Sequence, residues 1–391
     1  MNEFIALGIY PSLVDALEMQ HISEPTAVQK QVIPAILAGE NVIFQSETGT
    51  GKTFAYLLPL LTKILTGGAG RLLVLAPTHE LASQIKRETE RLCGDGNTGL
   101  RAALLIGGTP LRRQIEKLKE KPVVLCGGPS RIMELISLGK IKPGEITAVV
   151  LDEADRLFSP ELRDTTAALL KALLPGTQIA ACSATIRPQL AKVIHRSCAG
   201  LPELKTVLLP PEDVLRRRIV HWALYAERRD KTDALRRFIA AENPGSTLVF
   251  TSRVDAVTEI TEKLKYKKIS CCGLHAKTDK VGRKKAIDDF RSGRCTILVT
   301  SDLAARGLDI QGITHVVQLD LPEDMDFFIH RAGRTGRAGK TGINIVIGDE
   351  PELRRLAEFE KKLGITVYPK VLYGGNILSP PPVTDNGDTA E

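Results

Sequence analysis

The residues best placed to do chemistry are Ser46, Glu47, Thr48, Gly49, Thr50, Gly51, Lys52 and Thr53, the run SETGTGKT. An apolar stretch, Val42-Ile43-Phe44, precedes them, and Phe54-Ala55-Tyr56-Leu57-Leu58 follows. That order reads as strand, glycine-rich turn and helix. Such a turn aims backbone N–H groups and a helix N-terminus at one point, which suits a phosphate. Lys52 would reach the terminal phosphates and Thr53 would hold Mg²⁺. The usual pattern opens on glycine where this chain has Ser46, so a glycine-softened loop before a helix also fits the fragment taken alone. A second pair of residues separates these readings. Asp152-Glu153 follow Ala148-Val149-Val150-Leu151, placing an acid for Mg²⁺ and a base for water at a strand end. Together the two stretches point to NTP hydrolysis.

The elements that must hold these groups come from a chain of 391 residues, long enough for two domains. Hydrophobic residues make up 43% of it and aromatics 4%, so aliphatic side chains must fill the cores. The net charge of +7 permits a polyanionic partner, and nucleic acid, a ribosomal particle or a membrane surface all fit it. The first residues show no basic stretch leading into an apolar core, and no apolar run reaches about 18 residues. Neither a signal peptide nor a spanning helix is expected. None of the seven cysteines sits in a CxxC pair. They read as small core residues in a reducing compartment, with no zinc site or disulfide framework implied. A cytoplasmic location is the expectation.

Taken in order, strand-like and helix-like stretches alternate. Pro25-Thr26 open a helix with Val28, Val32 and Ile36 on one face. Strands are expected at 71–76, 102–106, 123–126, 149–151 and 179–182, with helices from His79 and over 110–120. This is the pattern of a parallel sheet covered on both faces, with ligands at the carboxyl ends of its strands. Residues 199–218 break the rhythm with three prolines and an arginine cluster. A second alternation follows, with strands at 247–250, 269–273, 296–300, 315–318 and 343–347. The expected division is a first domain over 1–208, a linker over 209–218, a second domain over 219–375 and a disordered tail over 376–391.

The second domain has no phosphate turn of its own. It carries His330-Arg331-Ala332-Gly333-Arg334-Thr335-Gly336-Arg337. Arginines three apart on a helix share a face. A solvated basic face is one reading. The other is charge stabilisation on a transferring phosphoryl group, for which the first domain lacks an arginine finger of its own.

The combination resembles the DEAD-box RNA helicases of helicase superfamily 2, over residues 4 to about 370. The resemblance implies two tandem RecA-like α/β domains, ATP and Mg²⁺ as cofactors, and RNA as partner. It rests on Pro25-Thr26 with Gln29, the SETGTGKT turn, Asp152-Glu153-Ala154-Asp155, Ser183-Ala184-Thr185, ARGLD at 305–309 and HRAGRTGR at 330–337. It implies that Phe4 stacks on adenine and Gln29 reads its edge, beside Thr26. A planar aromatic and a carboxamide suit a purine. A core anchor is the alternative for Phe4. Gly307 and Asp309 would approach the nucleotide, Asp309 at the ribose. Arg334 and Arg337 would contact the γ-phosphate. Asp155 would tie its loop to Ser183 and Thr185.

RNA contacts or coupling are implied for Pro77, Thr78, His79, Gly108, Gly128, Pro129 and Arg131 in the first domain. In the second they are implied for Thr251, Arg253, His275, Lys280, Arg283, Thr300, Asp302 and His330. Four positions depart from the family pattern: His79 stands for arginine, Ser130 for glycine, Ala276 for glycine and Lys280 for glutamine. They leave the hydrolytic residues intact and put the strength of RNA coupling in question. A satisfied helix-end histidine is the other reading of His79. The expected function is ATP-dependent local unwinding of short RNA duplexes or remodelling of ribonucleoproteins. An ATP-gated RNA clamp and a DNA helicase of the same superfamily are the rival readings. A monomer with little sequence preference is expected, with ribosomal or ribonucleoprotein partners and no membrane.

Overall fold

Strand formation here follows from short, nearly unbroken aliphatic runs, which only a sheet covered on both faces can bury. A computed structural model of the chain describes residues 2–45, 51–183, 188–198, 204–207, 214–275, 277–305, 310, 312–336 and 340–380, the side chains of Pro188, Val214, Arg217, Lys280 and Leu303 excepted. The chain divides into two compact units, with the break between residues 210 and 211.

In the first unit the described strands are β1 (Val42–Gln45), β2 (Arg71–Leu75), β3 (Ala102–Leu105), β4 (Val124–Gly127), β5 (Ile146–Asp152), β6 (Gln178–Ser183) and β7 (Lys205–Val207). They form one parallel sheet in the order β3-β4-β2-β5-β6-β1-β7. Alternate residues feed two cores: Val42, Phe44, Val74 and Val150 on one face, Ile43, Leu73, Leu75 and Leu151 on the other. Each such side chain, fully buried, contributes roughly 1.5–3 kcal/mol. The order sets β5, β6 and β1 side by side. Their carboxyl ends carry Asp152, Ser183 and the chain leading into the phosphate turn.

The second unit holds β8 (Ile219–Tyr225), β9 (Thr247–Phe250), β10 (Cys271–Leu274), β11 (Ile297–Thr300), β12 (His315–Gln318), β13 (Gly342–Gly348), β14 (Val367–Tyr373) and β15 (Asn376–Leu378). Their order is β10-β11-β9-β12-β13-β8-β14-β15, parallel throughout except for the last pair. Strands β8, β14 and β15 depart from the sequence reading. The last of them, at Asn376, lies where a disordered tail is expected to begin. Residues 214–218, read as linker, form a single π-helical turn leading into β8. The cysteine reading is corrected as well. Cys272 on β10 and Cys295 just ahead of β11 are joined as a disulfide, because neighbouring parallel strands bring them together. Among the described residues, no helix is long and apolar enough to cross a membrane.

A buried polar chain crosses the second sheet. His221 on β8 donates from Nε2 to the Leu215 carbonyl at 2.9 Å and accepts at Nδ1 from Asn344 at 3.1 Å. Asn344 in turn accepts from Gln318 at 2.9 Å. Burial pushes the His221 ring down to about 4, the Leu215 bond opposing only in part. The unfolded chain therefore binds a proton here between about pH 6.5 and 4 that the folded chain refuses. This contribution to stability is complete above pH 6.5 and lost as the pH falls towards 4. Trp222, the single tryptophan, lies beside it and reports unfolding of this unit by fluorescence. Against His221→Gln, the parent should lose on the order of 3 kcal/mol more stability between those pH values. Parallel pH curves for the two proteins would contradict the assignment.

Candidate active site and nucleic-acid face

The helix Lys52–Leu65 starts at Gly51, whose φ of 84° places it in the left-handed region open to glycine. A Cβ there would lie 2.6 Å from the Gln29 amide nitrogen, so side-chain-free backbone is needed twice over. Gln29 is buried at the start of the helix Ala27–Leu37. Its Oε1 accepts from the Thr26 N–H at 2.9 Å, and its Nε2 donates to the Gly51 carbonyl at 3.0 Å. Thr26 closes the capping box through its own hydroxyl. The PTxxQ segment thus fastens the C-terminal end of the phosphate turn to the preceding helix.

Asp152, at the end of β5, is wholly buried. Its Oδ2 accepts from the Tyr56 hydroxyl at 2.9 Å. Its Oδ1 accepts from the Glu153 N–H at 2.9 Å and from the Cys182 thiol at 3.2 Å, and faces the Lys52 ammonium at 3.7 Å. Burial pulls the Lys52 ammonium down, but the acidic neighbours, Asp152 foremost, outweigh it and leave its pKa raised. Burial, then the Asp152 charge, holds the Tyr56 phenol well above its ordinary value, so it stays a donor. The same causes keep Cys182 a thiol. Glu153 follows with φ 50° and ψ 54°, a left-handed conformation rare for a residue with a side chain. It turns the chain sharply out of the strand into a short helix, where Asp155 accepts from the Ser183 hydroxyl at 2.6 Å. The donor set, a hard carboxylate with the Thr53 hydroxyl one residue beyond Lys52, suits Mg²⁺ held partly by phosphate oxygens. Among the described residues, no cluster of three or more His, Cys, Asp or Glu could hold a metal by itself.

On the same unit, Pro77, His79, Gly107, Gly128, Pro129 and Arg131 line one pocket of about 260 Å³. Thr78 caps the helix His79–Asp95 by accepting from Leu81 N–H at 3.2 Å. Arg131 is held by the Thr109 carbonyl at 3.2 Å and by Glu134 at 3.0 Å.

The second unit is organised around a buried arginine. Arg331, 1% exposed, makes two bonds to the Asp302 carboxylate, at 2.7 and 2.6 Å. It also donates to the Asp320 carbonyl at 2.6 Å and Ser252 Oγ at 3.3 Å, and stacks over Phe250. Asp320 accepts in turn from Thr251 Oγ1 at 2.7 Å and Ser252 N–H at 2.9 Å. This cluster seats the helix Met325–Ala332, which leads into Arg334. Thr335 is buried just beyond, donating to the Ile313 carbonyl at 2.6 Å.

The comparisons with known proteins agree with this geometry. The DEAD/DEAH box helicase family model matches residues 26–193, and that of the helicase conserved C-terminal domain matches residues 230–339. The DEAD-box ATP-dependent RNA helicase CshC of Bacillus cereus is 39% identical over 373 residues, which cover 95% of this chain and 94% of the relative. The chain belongs to the DEAD-box helicases. To this DEAD-box helicase the protein named probable ATP-dependent RNA helicase YfmL of Bacillus subtilis is 37% identical, over 90% of this chain and 93% of its own. The structure of S. cerevisiae Dbp5 bound to RNA and ADP BeF3 superposes with a TM-score of 0.81 at 26% identity, covering 94% of this chain and 96% of that one. Each unit is thus a RecA-like domain.

One expected contact of the DEAD-box helicase is corrected. Phe4 is wholly buried in the first core and offers no face to adenine, so it is the core anchor. Thr251 and Thr300 are also buried, their hydroxyls spent on Asp320 and on the Ser301 carbonyl. The backbone N–H of His275 donates to Thr278 Oγ1 at 3.1 Å. Arg283 donates to the Ala304 carbonyl at 3.1 Å, and Arg253 stands exposed before the helix Val254–Tyr266. His330 and Arg334 are buried in the segment that Arg331 anchors, and Gly108 turns with φ 72°. Ser46, Glu47, Thr48, Gly49, Thr50, Thr185, Gly307, Asp309 and Arg337 lie outside the described residues, as does the side chain of Lys280. The sequence reading missed Tyr56 and Cys182, and it missed that Arg331 is spent on Asp302. Tyr56 is one helical turn from Lys52, a spacing that flags it. Arg331 follows the apolar run Phe327-Phe328-Ile329 in the helix MDFFIHRA. Cys182 meets Asp152 only through strand register.

Removing one partner of a buried ion pair strands the other, at a cost of roughly 3–5 kcal/mol. Arg331→Ala should therefore lower the unfolding free energy of the second unit by about that amount. Trp222 fluorescence in a denaturant titration measures it, and a loss below about 1 kcal/mol would show the pair to be dispensable.

Proposed function

We propose that the chain is an ATP-dependent RNA helicase in which ATP held by the first unit is hydrolysed only when the second unit supplies Arg334 and Arg337. The observation that carries this reading is the fully buried Asp152 carboxylate facing Lys52, with Glu153 turned out of the strand beside it. Lys52 draws charge from the β- and γ-phosphates. Glu153 orients the attacking water and takes its proton. Asp152 and Thr53 would hold Mg²⁺, which neutralises phosphate charge as it moves to the leaving group. Arg334 and Arg337 offset the charge that develops on the transferring phosphoryl group.

The pocket at Pro77, His79, Gly128 and Arg131 supports an RNA strand gripped by backbone, with little base sequence read. Arg253, His275, Lys280 and Arg283 would extend that grip on the second unit. RNA and ATP together favour closure, and the bent strand parts a short duplex. The Ser183–Asp155 bond supports coupling, since it links the acid loop to the end of β6. Ribosomal or ribonucleoprotein partners, a monomeric state and a cytoplasmic location complete the reading.

The test is ATPase rate without nucleic acid and with single-stranded RNA, duplex RNA or DNA, at fixed salt, since phosphate contacts weaken as ions rise. RNA should stimulate and DNA should not. Arg334→Ala and Arg337→Ala should each lower the RNA-stimulated rate by ~10³–10⁵ while nucleotide still binds. Retained RNA-stimulated turnover in both variants, or equal stimulation by DNA, would overturn the proposal.

A further inference from the structure

Asp152 is the one carboxylate on which the nucleotide reading turns, and nothing in its own short side chain decides which way it faces. Two rotatable bonds separate its oxygens from the backbone. A buried carboxylate with an unsatisfied oxygen would turn towards the strongest donor near it, which is Lys52 at 3.7 Å. The opposite oxygen is held instead by the Tyr56 hydroxyl at 2.9 Å. Tyr56 is 0% exposed and lies four residues beyond Lys52 on the same helix, so both side chains leave that helix on one face. The helix that presents the ammonium therefore also presents the group that limits its pull. Cys182, across the β5–β6 register from Asp152, adds a weaker donor to the other oxygen at 3.2 Å.

We infer that Tyr56 is a positioning residue for the nucleotide site: its hydroxyl fixes the rotation of Asp152, and so sets how tightly Mg²⁺ couples to nucleotide binding. The inference rests on the reading of Asp152 as the acid that serves Mg²⁺. Tyr56 touches neither nucleotide nor metal in this scheme. A phenylalanine at the same place keeps the ring in the core and removes only the donor. The carboxylate then loses a hydrogen bond to a charged acceptor, an interaction whose loss corresponds to roughly tenfold in an equilibrium. Direct contacts between phosphates and the turn are left as they are.

The experiment measures the affinity of the full chain for ADP and for a non-hydrolysable ATP analogue, each in Mg²⁺ and in excess chelator. The ratio of the two affinities is the magnesium gain. Tyr56→Phe should lower that gain about tenfold while leaving the chelator value within about twofold. The Mg²⁺ concentration giving half-maximal ATPase should rise in step. Cys182→Ala should lower the gain by a smaller factor, and Cys182→Ser should restore it, which keeps the test open should Tyr56→Phe fold poorly. Asp152→Asn separates the two levels of inference. If Asp152→Asn loses the gain and Tyr56→Phe keeps it, the positioning role is overturned and the nucleotide reading stands. If Asp152→Asn also keeps the gain, the reading of Asp152 itself fails.

Discussion

A carboxylate taken wholly out of water must be met by donors, and the first unit is arranged around that requirement at Asp152. The donors come from three neighbouring parts of the fold. Lys52 and Tyr56 come from the helix after the phosphate turn, Cys182 from the neighbouring strand, and the Glu153 N–H from the backbone as it leaves β5. They converge because β5, β6 and β1 are consecutive in a parallel sheet, so three carboxyl ends open at one edge. Gln29 adds the link from the opening helix to Gly51. Remove the parallel order and these groups disperse. The charge that the cluster keeps in place is also the charge that a metal–phosphate complex can use.

The second unit solves the inverse problem. Its buried charge is a guanidinium, Arg331, met by Asp302, the Asp320 carbonyl, Ser252 and the face of Phe250. These partners lie at or just beyond the carboxyl ends of β9, β11 and β12, again three neighbours in the sheet. A bidentate pair fixes direction as well as distance. Arg331 thereby links the segment carrying Arg334 to Asp302 and to the Thr251–Ser252 turn. One residue serves both the segment read as facing phosphate and the segments read as facing RNA.

Much of this was legible in the order of residue types. Aliphatic runs such as Leu72–Leu75 and Val149–Leu151 announce buried strands, and a lysine and an acid pair at strand ends announce nucleotide chemistry. Strand β8 was missed because its run, IVHWALY, mixes polar and aromatic residues and follows a proline- and arginine-rich stretch. Strand β7 has only three residues, two of them exposed. The helix Pro129–Ser137 follows Gly127-Gly128, a local pattern that suggests a turn, although proline fits the first turn of a helix. Phe4 shows the limit of motif reasoning: spacing places an aromatic near the site, and only packing tells whether its face is free. The Asp152–Cys182 contact and the Cys272–Cys295 bond both depend on strand register, which no local pattern reveals.

The central claim is that ATP hydrolysis and RNA grip are one closing event of the two units. Fluorescence energy transfer between one dye on each unit tests it directly, read with RNA alone, a non-hydrolysable ATP analogue alone, and both together. The account predicts a single high-transfer population only when both ligands are present, and its loss in Arg334→Ala. The same high transfer with either ligand alone, or RNA-stimulated hydrolysis with no change in transfer, would contradict it.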